Sequence, residues 1–171
     1  MLQIHTTRRL DQIEIGLRKA AARHGGSVLA SSHVGQVLRG EGAKANDAIT
    51  FAVCFSDLYA PLLRSDIRFS VFLPSRIAVC TKGEGALLEA ISPIDYCRLL
   101  HRPELESLAA SVEETLRLVM EEAANQVPHA SDHLATEDLV NMRLALPQRI
   151  DCHGTKVQEM AGTDADEGLG G

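Results

Sequence analysis

Residues 49–93 constrain the fold of this chain more than any other segment. In residues 49–55, large apolar side chains alternate with smaller ones, which is the period-two pattern of a strand with one buried face. Residues 56–64 are amphipathic with helical spacing, and we expect the apolar run 67–73 to be extended. Residues 76–91 indicate two strands around a Lys-Gly-Glu-Gly turn, so the segment predicts a sheet joined largely by hairpins.

The flanking residues add further strands and helices to this segment. They predict a strand at 2–5, a helix at 8–24 ended by two glycines, a strand at 27–34, a Gly-rich loop at 35–47, a helix at 93–100 and a long helix at 103–123. The predicted order is β-α-β-loop-β-α-β-β-β-α-α. It indicates an α+β fold with a mostly antiparallel sheet of about five or six strands and helices packed on one face.

Length and charge divide the chain into two parts. Its 171 residues fit one domain with an extension. We place a single α+β domain at residues 1–126 and an acidic, partly helical extension with a disordered end at 127–171. The first part carries 15 acidic and 14 basic side chains, and the second carries 8 acidic and 3 basic ones. Because no cluster of Lys and Arg is present, the sequence predicts no nucleic-acid partner.

The N-terminal residues and the cysteines indicate a cytoplasmic protein. Residues 1–16 lack the apolar core and small-residue cleavage site of a secretory signal. No window approaches roughly 18 uncharged apolar residues, so we expect no membrane span. Cysteines stand at positions 54, 80, 97 and 152 without a tight pairing pattern, which predicts reduced thiols.

Part of the chain resembles the domain-of-unknown-function 302 family. The residues that carry the resemblance are the run from Phe51 to Phe55, the helix from Ser56, and the sequence LPSRIAV at 73–79. His33 falls where many members carry a histidine, whereas Ser75 stands where members often carry Cys or Leu. Over about residues 1–100, the resemblance implies an α+β fold similar to a single TATA-binding-protein-like repeat. It also implies a tendency to form homodimers, and it implies no established reaction.

Arg76 is the strongest candidate for binding a ligand. A guanidinium presents a planar fork of donors that suits a carboxylate or another anion. His33 and Asp57 lie at predicted strand ends and could line the same pocket, with Ser75 beside Arg76 in the Leu-Pro corner. The alternative is structural, since Arg76 could instead pair with Asp57 or Asp66 and hold that corner.

Two cysteines offer a second kind of chemistry. Cys54 and Cys80 sit in predicted strands on the less bulky side, so they could share one face of the sheet. A thiol or persulfide exchange reaction would need a thiolate, and Arg76 could lower the pKa of one. The alternative is that each cysteine packs as a small apolar residue, because no Cys-x-x-Cys motif is present.

The acidic extension holds a possible metal site. His129 and His133 are four residues apart, and Cys152 and His153 follow downstream. Imidazole and thiolate are ligands that zinc or haem iron accepts. The spacing lacks the glutamate of the zinc-protease motif, and the setting is equally typical of a solvated tail.

These patterns leave three hypotheses for function. The first is a small cytoplasmic homodimeric module that is not catalytic and binds a small ligand or a protein partner, with the cofactor unknown. The second is an enzyme or carrier that handles thiols or persulfides through Cys54 or Cys80. The third is a metal- or haem-binding protein. The sequence contains neither a phosphate-binding P-loop nor a Gly-x-Ser-x-Gly elbow.

Overall fold

The structure is a computed structural model, and it describes residues 1–125. The predicted extension at 127–171 lies outside the described residues. In the described part, the strands are β1 Leu2–Thr6, β2 Ser27–Ser32, β3 Ala48–Cys54, β4 Ser75–Lys82 and β5 Gly85–Ala90. The helices are α1 Leu10–Arg23, α2 Val34–Gly40, α3 Ser56–Ser65, α4 Pro93–Leu99 and α5 Glu106–Asn125, and two short 3-10 helices span Ile67–Val71 and Pro103–Leu105.

The strands form one antiparallel sheet in the order β1-β5-β4-β3-β2. The tight turn between β4 and β5 contains Gly83, whose positive φ of 61° suits glycine. The edge strand β2 carries a bulge between Val28 and Ala30, whereas β1 pairs with β5 without interruption. The predicted α+β class and antiparallel sheet are therefore confirmed.

The helices cover one face of the sheet, which we call the inner face. The alternation predicted for β3 is present, because Ile49, Phe51 and Val53 are buried there. The other strands and α5 complete an aliphatic core that includes Ile77, Val79, Leu88, Val112, Leu116, Val119 and Met120. On the opposite, outer face, the strands β2, β3 and β4 carry many small side chains, namely Ala30, Ser32, Ala48, Thr50, Ala52, Cys54, Ala78 and Cys80. Larger side chains, including Leu87 and Glu89 of β5, lie on the same face.

The pair of helices α1 and α5 closes the inner layer. A Cβ on Gly16 of α1 would lie 3.0 Å from the Ala123 oxygen, so the absence of a side chain permits this close approach. The Arg8 guanidinium donates to the same Ala123 oxygen at 2.6 Å, and Thr6 Oγ1 donates to the Ala124 oxygen at 2.8 Å. These side chains bind backbone carbonyl oxygens in the last described turn of α5.

The predicted loop at 35–47 is wrong in its first half, where the chain forms α2. This helix buries Gly35, while Val37 and Leu38 stay exposed. Arg39 holds the following segment by donating to the Ala45 oxygen at 2.9 Å and by pairing with Asp47. The helix buries no large apolar side chain, so the periodic pattern that reveals most helices is missing from its sequence.

The predicted extended run at 67–73 is also wrong. Residues Ile67–Val71 form a 3-10 helix, and Asp66 Oδ1 accepts a hydrogen bond from the Arg68 backbone N–H at 3.0 Å. Phe69 is fully buried, whereas Ile67 and Val71 are 72% and 79% exposed. The apolar composition resembles that of a strand, but local capping by Asp66 makes the chain turn.

Candidate functional site at the Leu-Pro corner

The corner at residues 73–76 directs neighbouring side chains to opposite faces of the sheet. The Leu73-Pro74 peptide bond is cis, and β4 begins at the next residue. Because successive strand residues alternate in direction, Ser75 enters the inner face and is fully buried, while Arg76 lies on the outer face. The corner therefore contributes to two different environments.

On the outer face, the guanidinium of Arg76 is available to a ligand. Arg76 is exposed and lies opposite Ala52 of β3, with Ile91 on its other side just beyond β5. Within residues 1–125, its side chain makes no hydrogen bond or ion pair. The acidic partner considered for it, Asp66, is instead bound by other arginines.

Asp66 belongs to an ion network on the helical side of the corner. Its side chain is 8% exposed, and its Oδ2 lies 2.6 Å from Nη2 of Arg68 and 2.6 Å from Nη1 of Arg102. Hydrogen bonds from Arg68, reinforced by Arg102, hold the pKa of this carboxyl well below its usual range. The network ties the 3-10 helix Ile67–Val71 to the chain after α4, and its geometry indicates a structural role.

The four predicted ligand residues do not form one cluster. His33 lies between β2 and α2, next to the point where Ser32 faces Thr50. Asp57 lies in the first turn of α3, at the other end of β3, where Ser27 faces Cys54. The structure thus brings Asp57 to the same end of the sheet as Ser75 and Arg76, and it leaves His33 at the opposite end.

The sequence interpretation missed a group of buried hydroxyls around Ser75. Tyr59 Oη donates to the Val53 oxygen at 3.0 Å and accepts from the Ser75 backbone N–H at 3.3 Å. Tyr96 is also buried, and its ring stacks on Phe72 with centroids 4.5 Å apart. The only signal in the sequence is that these are its two tyrosines, one on each helix that flanks the corner.

Burial controls the titration of both phenols. It raises the pKa of Tyr59 to about 12 and also raises the pKa of Tyr96. The Ser75 side chain opposes both shifts, which places its hydroxyl near the two phenol oxygens. No contact to Ser75 Oγ nevertheless has the distance and angle of a hydrogen bond in the described part of the chain.

Comparison with known proteins defines the family. The family model described as "Domain of unknown function DUF302" matches residues 2–123. The chain belongs to the DUF302 family. This finding confirms the resemblance seen around the Leu-Pro corner.

A solved structure shares the DUF302 fold. It is the crystal structure of an uncharacterized conserved DUF302 protein from Bacillus stearothermophilus. Its TM-score to this chain is 0.68 at 18% sequence identity, and the match covers 71% of this chain and 96% of that one. At this identity the likeness supports the fold alone, and the TATA-binding-protein-like description stays a prediction. No curated protein matches the chain.

The described cysteines of this DUF302 chain are free thiols in different surroundings. Cys54 and Cys80 are both half-buried on the outer face, but Cys80 faces Ala48 at the far end of β3, roughly 20 Å from Cys54. Burial, with a smaller contribution from Glu89, raises the pKa of the Cys80 thiol. Burial likewise raises the pKa of Cys97. These shifts disfavour the thiolate at Cys80 and Cys97.

The metal candidates cannot be placed on the DUF302 fold. His129, His133, Cys152 and His153 lie outside the described residues. Residues 1–125 contain no group of three or more His, Cys, Asp or Glu side chains arranged to hold a metal ion. In the same part of the chain, no helix has the length and apolar character needed to cross a membrane.

Proposed function

We propose that this DUF302 protein is a non-catalytic, homodimeric binding module that takes a small anionic ligand on the outer face of its sheet. The observation that carries the proposal is the exposed Arg76 guanidinium, which has no acidic partner in residues 1–125. Other arginines of this domain, such as Arg68, Arg102 and Arg117, form ion pairs with carboxylates of the protein itself. Arg76 is therefore free to bind an external carboxylate or phosphate.

The surroundings of Arg76 favour a small ligand. Ala52 and Ala30 extend away from it across β3 and β2, and Ala78 follows it on β4. These short side chains leave room above the sheet for a bound molecule. A planar carboxylate or a phosphate can accept two parallel hydrogen bonds from one guanidinium, which adds orientation to charge attraction.

A pair of matched arginine variants tests this site. We expect succinate or inorganic phosphate to shift the amide NMR signals of β3 and β4 in the wild-type protein in a saturable way. Arg76→Ala should weaken the binding more than tenfold, and Arg76→Lys should weaken it less. The control is Arg64→Ala, because Arg64 is also exposed and has no ion pair in the described part, but it lies on α3.

Two results would contradict the anion site. One is the absence of any saturable shift near Arg76 with either anion. The other is equal weakening by Arg76→Ala and Arg64→Ala, which would indicate general charge attraction. Binding of an acidic peptide without binding of succinate or phosphate would instead favour a protein partner on the same face.

The proposed homodimer uses the edge strand β1. Charged residues, prolines and bulges normally discourage pairing between the edges of two sheets. The strand Leu2–Thr6 contains none of these three features, so its edge is open to pairing. Two copies paired at β1 would extend the sheet and leave both Arg76 residues on one continuous outer face. Light scattering should give twice the 18.5 kDa mass of one chain. His5→Glu should shift the mass toward the monomer, and a monomeric wild-type protein would contradict the dimer.

The proposed setting is the cytoplasm, without a nucleic-acid partner. The free thiols Cys54, Cys80 and Cys97 are compatible with a reducing compartment. The balance of 15 acidic and 14 basic residues in positions 1–126 gives little electrostatic attraction for a phosphate backbone.

Thiol or persulfide handling is a second candidate because of one observation at Cys54. This half-buried residue ends β3 on the same face as Arg76, and its Sγ lies 3.9 Å from the Ser56 Oγ at the start of α3. Labelling of the native protein with a thiol reagent should then be fast at one site and should disappear in Cys54→Ser. Uniformly slow labelling of all the cysteines would exclude this function.

Metal or haem binding through His129, His133, Cys152 and His153 stays a prediction. Elemental analysis and a visible spectrum of untagged protein test it directly. A protein that carries neither metal nor haem, and whose melting temperature is unchanged by zinc, would contradict it.

A further inference from the structure

The outer face of the central strands lacks the polar side chains that a solvated sheet face normally carries. An antiparallel sheet that is covered on one side usually alternates apolar residues inside with polar residues outside. The outward positions of β3 and β4 instead carry mainly small uncharged side chains, all partly accessible to solvent, namely Ala48, Thr50, Ala52, Cys54, Ala78 and Cys80. Leu87 of β5 adds a larger apolar side chain beside Cys80. An exposed apolar area bordered by charged residues is typical of a surface that contacts a partner.

Two cations border this area at the two ends of β4. Arg76 begins the outward row of β4 and Lys82 ends it, and both side chains are exposed. Arg76 faces Ala52 on β3, and Lys82 faces Gly85 on β5. Neither cation forms an ion pair with another residue of the described chain. Because a strand rises about 3.3 Å per residue, the two cations lie roughly 20 Å apart.

The charge of this area is complementary to an acidic partner. Glu89 on β5 is the one carboxylate in β3, β4 and β5, and it already accepts a hydrogen bond from Gln3 Nε2 at 2.6 Å. Arg76 and Lys82 against Glu89 leave an excess of one positive charge. Two copies of the chain packed through this face would bring four cations against two carboxylates, so the charges disfavour a second copy and favour an acidic partner.

The position of these strands in the sheet defines the kind of partner. In the order β1-β5-β4-β3-β2, the strands β3, β4 and β5 are interior, so their backbone groups pair with a neighbouring strand on each side. A partner on this face therefore contacts side chains and must satisfy its own backbone, as a helix does. About fourteen helical residues span roughly 20 Å, and residues at that separation return to nearly the same side of the helix.

We propose that the outer face of β3, β4 and β5 binds an amphipathic helix from an acidic protein partner. The apolar side of this helix packs on the small side chains between the two cations. Acidic residues near the two ends of the helix pair with Arg76 and Lys82, and the residues between them on that side are uncharged. The inference rests on the anion-binding role proposed for Arg76, and it assigns Lys82 as a second anchor.

Two model peptides test this class of partner. The first is an amphipathic peptide of about 20 residues, long enough to span β4 as a helix, with two glutamates about fourteen residues apart on its apolar side. The second has the same composition and net charge, but its two glutamates lie on the polar side. Each peptide carries one tryptophan, whose fluorescence reports binding because the protein contains no tryptophan. We expect the full-length protein to bind the first peptide saturably and about tenfold more tightly than the second.

Variants connect the binding to this face of the sheet. Arg76→Ala and Lys82→Ala each remove one ion pair and should weaken binding of the first peptide about fivefold. Both should melt at the wild-type temperature, because the two side chains are exposed. Ala78→Glu places a carboxylate between the two cations and should weaken binding about tenfold or more. The control is Lys44→Ala, which removes an exposed cation from the segment before β3 and should bind as the wild type does.

Several outcomes would overturn the helix site. Equal binding of the two peptides would indicate general charge attraction, and equal binding of the first peptide by the wild type, Arg76→Ala and Lys82→Ala would place it elsewhere. A homodimer that dissociates in Ala78→Glu would show that a second copy occupies this face.

The outcomes also separate this inference from the proposed small-anion site. Saturable binding of succinate without binding of the first peptide would overturn the helix site and leave the anion site at Arg76 in place. Binding of the first peptide without binding of succinate or phosphate would support the helix site and contradict the small-anion site.

Discussion

At the scale of single residues, polar side chains near the corner differ in whether the protein satisfies them. Asp66 receives hydrogen bonds from Arg68 and Arg102, whereas Arg76 lacks a partner in the described part of the chain. A satisfied ion network stabilises the fold, and an unsatisfied donor is available for binding. This contrast separates the structural polar residues of the corner from its candidate ligand residues.

The Asp66 network predicts a specific loss of stability in acid. The pKa of Asp66 is lowered in the folded state, so its contribution is present above the unfolded pKa of about 3.9 and is lost as the pH falls below that value. Thermal melts should show Asp66→Asn less stable than the wild type at pH 7, with the difference shrinking toward pH 2.

The control for this prediction is Glu84→Gln, because Glu84 is an exposed carboxylate between β4 and β5 without an ion pair in the described residues. It should match the wild type at both pH values. A difference for Asp66→Asn that stays constant from pH 7 to pH 2 would contradict the role of its charge.

The buried phenol of Tyr59 predicts a loss of stability in alkali. Its folded pKa of about 12 exceeds the unfolded value of about 10, so stability is complete below pH 10 and is lost as the pH rises through 12. The two-unit shift corresponds to ~3 kcal/mol. Absorbance of phenolate near 295 nm should appear well above pH 10 in the native protein and near pH 10 in urea. Normal titration of both tyrosines in the native protein would contradict this burial.

At the scale of elements, the two errors of the sequence interpretation have related causes. The 3-10 helix Ile67–Val71 has the composition of a strand, and α2 has the composition of a loop. In both cases a single residue makes the decisive tertiary contact: Phe69 enters the core and Gly35 fits against the chain before β3. Periodicity over several residues does not reveal a contact made by one.

The 3-10 helix predicts opposite outcomes at two apolar positions. Phe69→Ala should destabilise the protein by about 3–5 kcal/mol, because it empties a fully buried site. Val71→Ala should change stability by less than about 0.5 kcal/mol, because Val71 is mostly exposed. Urea unfolding measures both values. An extended strand would place both side chains on the same face, so similar losses for the two variants would contradict the helix.

Helix α2 contains its own matched pair of glycines. A Cβ on Gly35 would lie 2.2 Å from the Asn46 oxygen, so Gly35→Ala must displace backbone and should cost about 1–3 kcal/mol. Gly40 has nothing within 4 Å of the same position, so Gly40→Ala should be neutral or stabilising by up to about 1 kcal/mol. Denaturant unfolding compares the two variants. Equal behaviour would show that α2 is not packed against the segment before β3.

At the scale of the whole molecule, the core is contained in the family-matched region. The buried apolar residues of the described part run from Ile13 to Ala124, and the DUF302 match covers 2–123. The chain divides into two compact units, and the first of them comprises Met1–Val127. The predicted domain at 1–126 therefore remains the simplest hypothesis for an independently folding unit.

Truncation tests this hypothesis. We expect a protein of residues 1–127 to unfold cooperatively at the melting temperature of the full chain, because no core side chain of the described part is removed. Circular dichroism and calorimetry measure the transition. A lower melting temperature, or the loss of cooperative unfolding, would show that residues 128–171 contribute to the stability of the domain.

The sequence by itself determined the features that repeat along the chain. The alternation of Ile49, Phe51 and Val53 predicts a strand with one buried face, and the stripe through Val112, Leu116 and Val119 predicts the helix that covers it. In each pattern, several apolar residues recur with the period of the strand or helix because all of them face the core. The α+β class follows from these patterns, but the expected hairpins do not. In the described part of the chain a tight turn joins only β4 to β5, whereas helical segments join β2 to β3 and β3 to β4.

Only the tertiary structure decided which isolated polar residues meet. It separated His33 from Asp57 by placing them at opposite ends of β3, and it brought Tyr59 and Tyr96 to Ser75 from two different helices. It also brought Arg102 to Asp66, which already binds its local partner Arg68, and this left Arg76 without Asp66 as a partner. The long-range meetings depend on strand order and helix packing rather than on any local period, because Tyr59 and Ser75 lie 16 residues apart and Asp66 and Arg102 lie 36 apart.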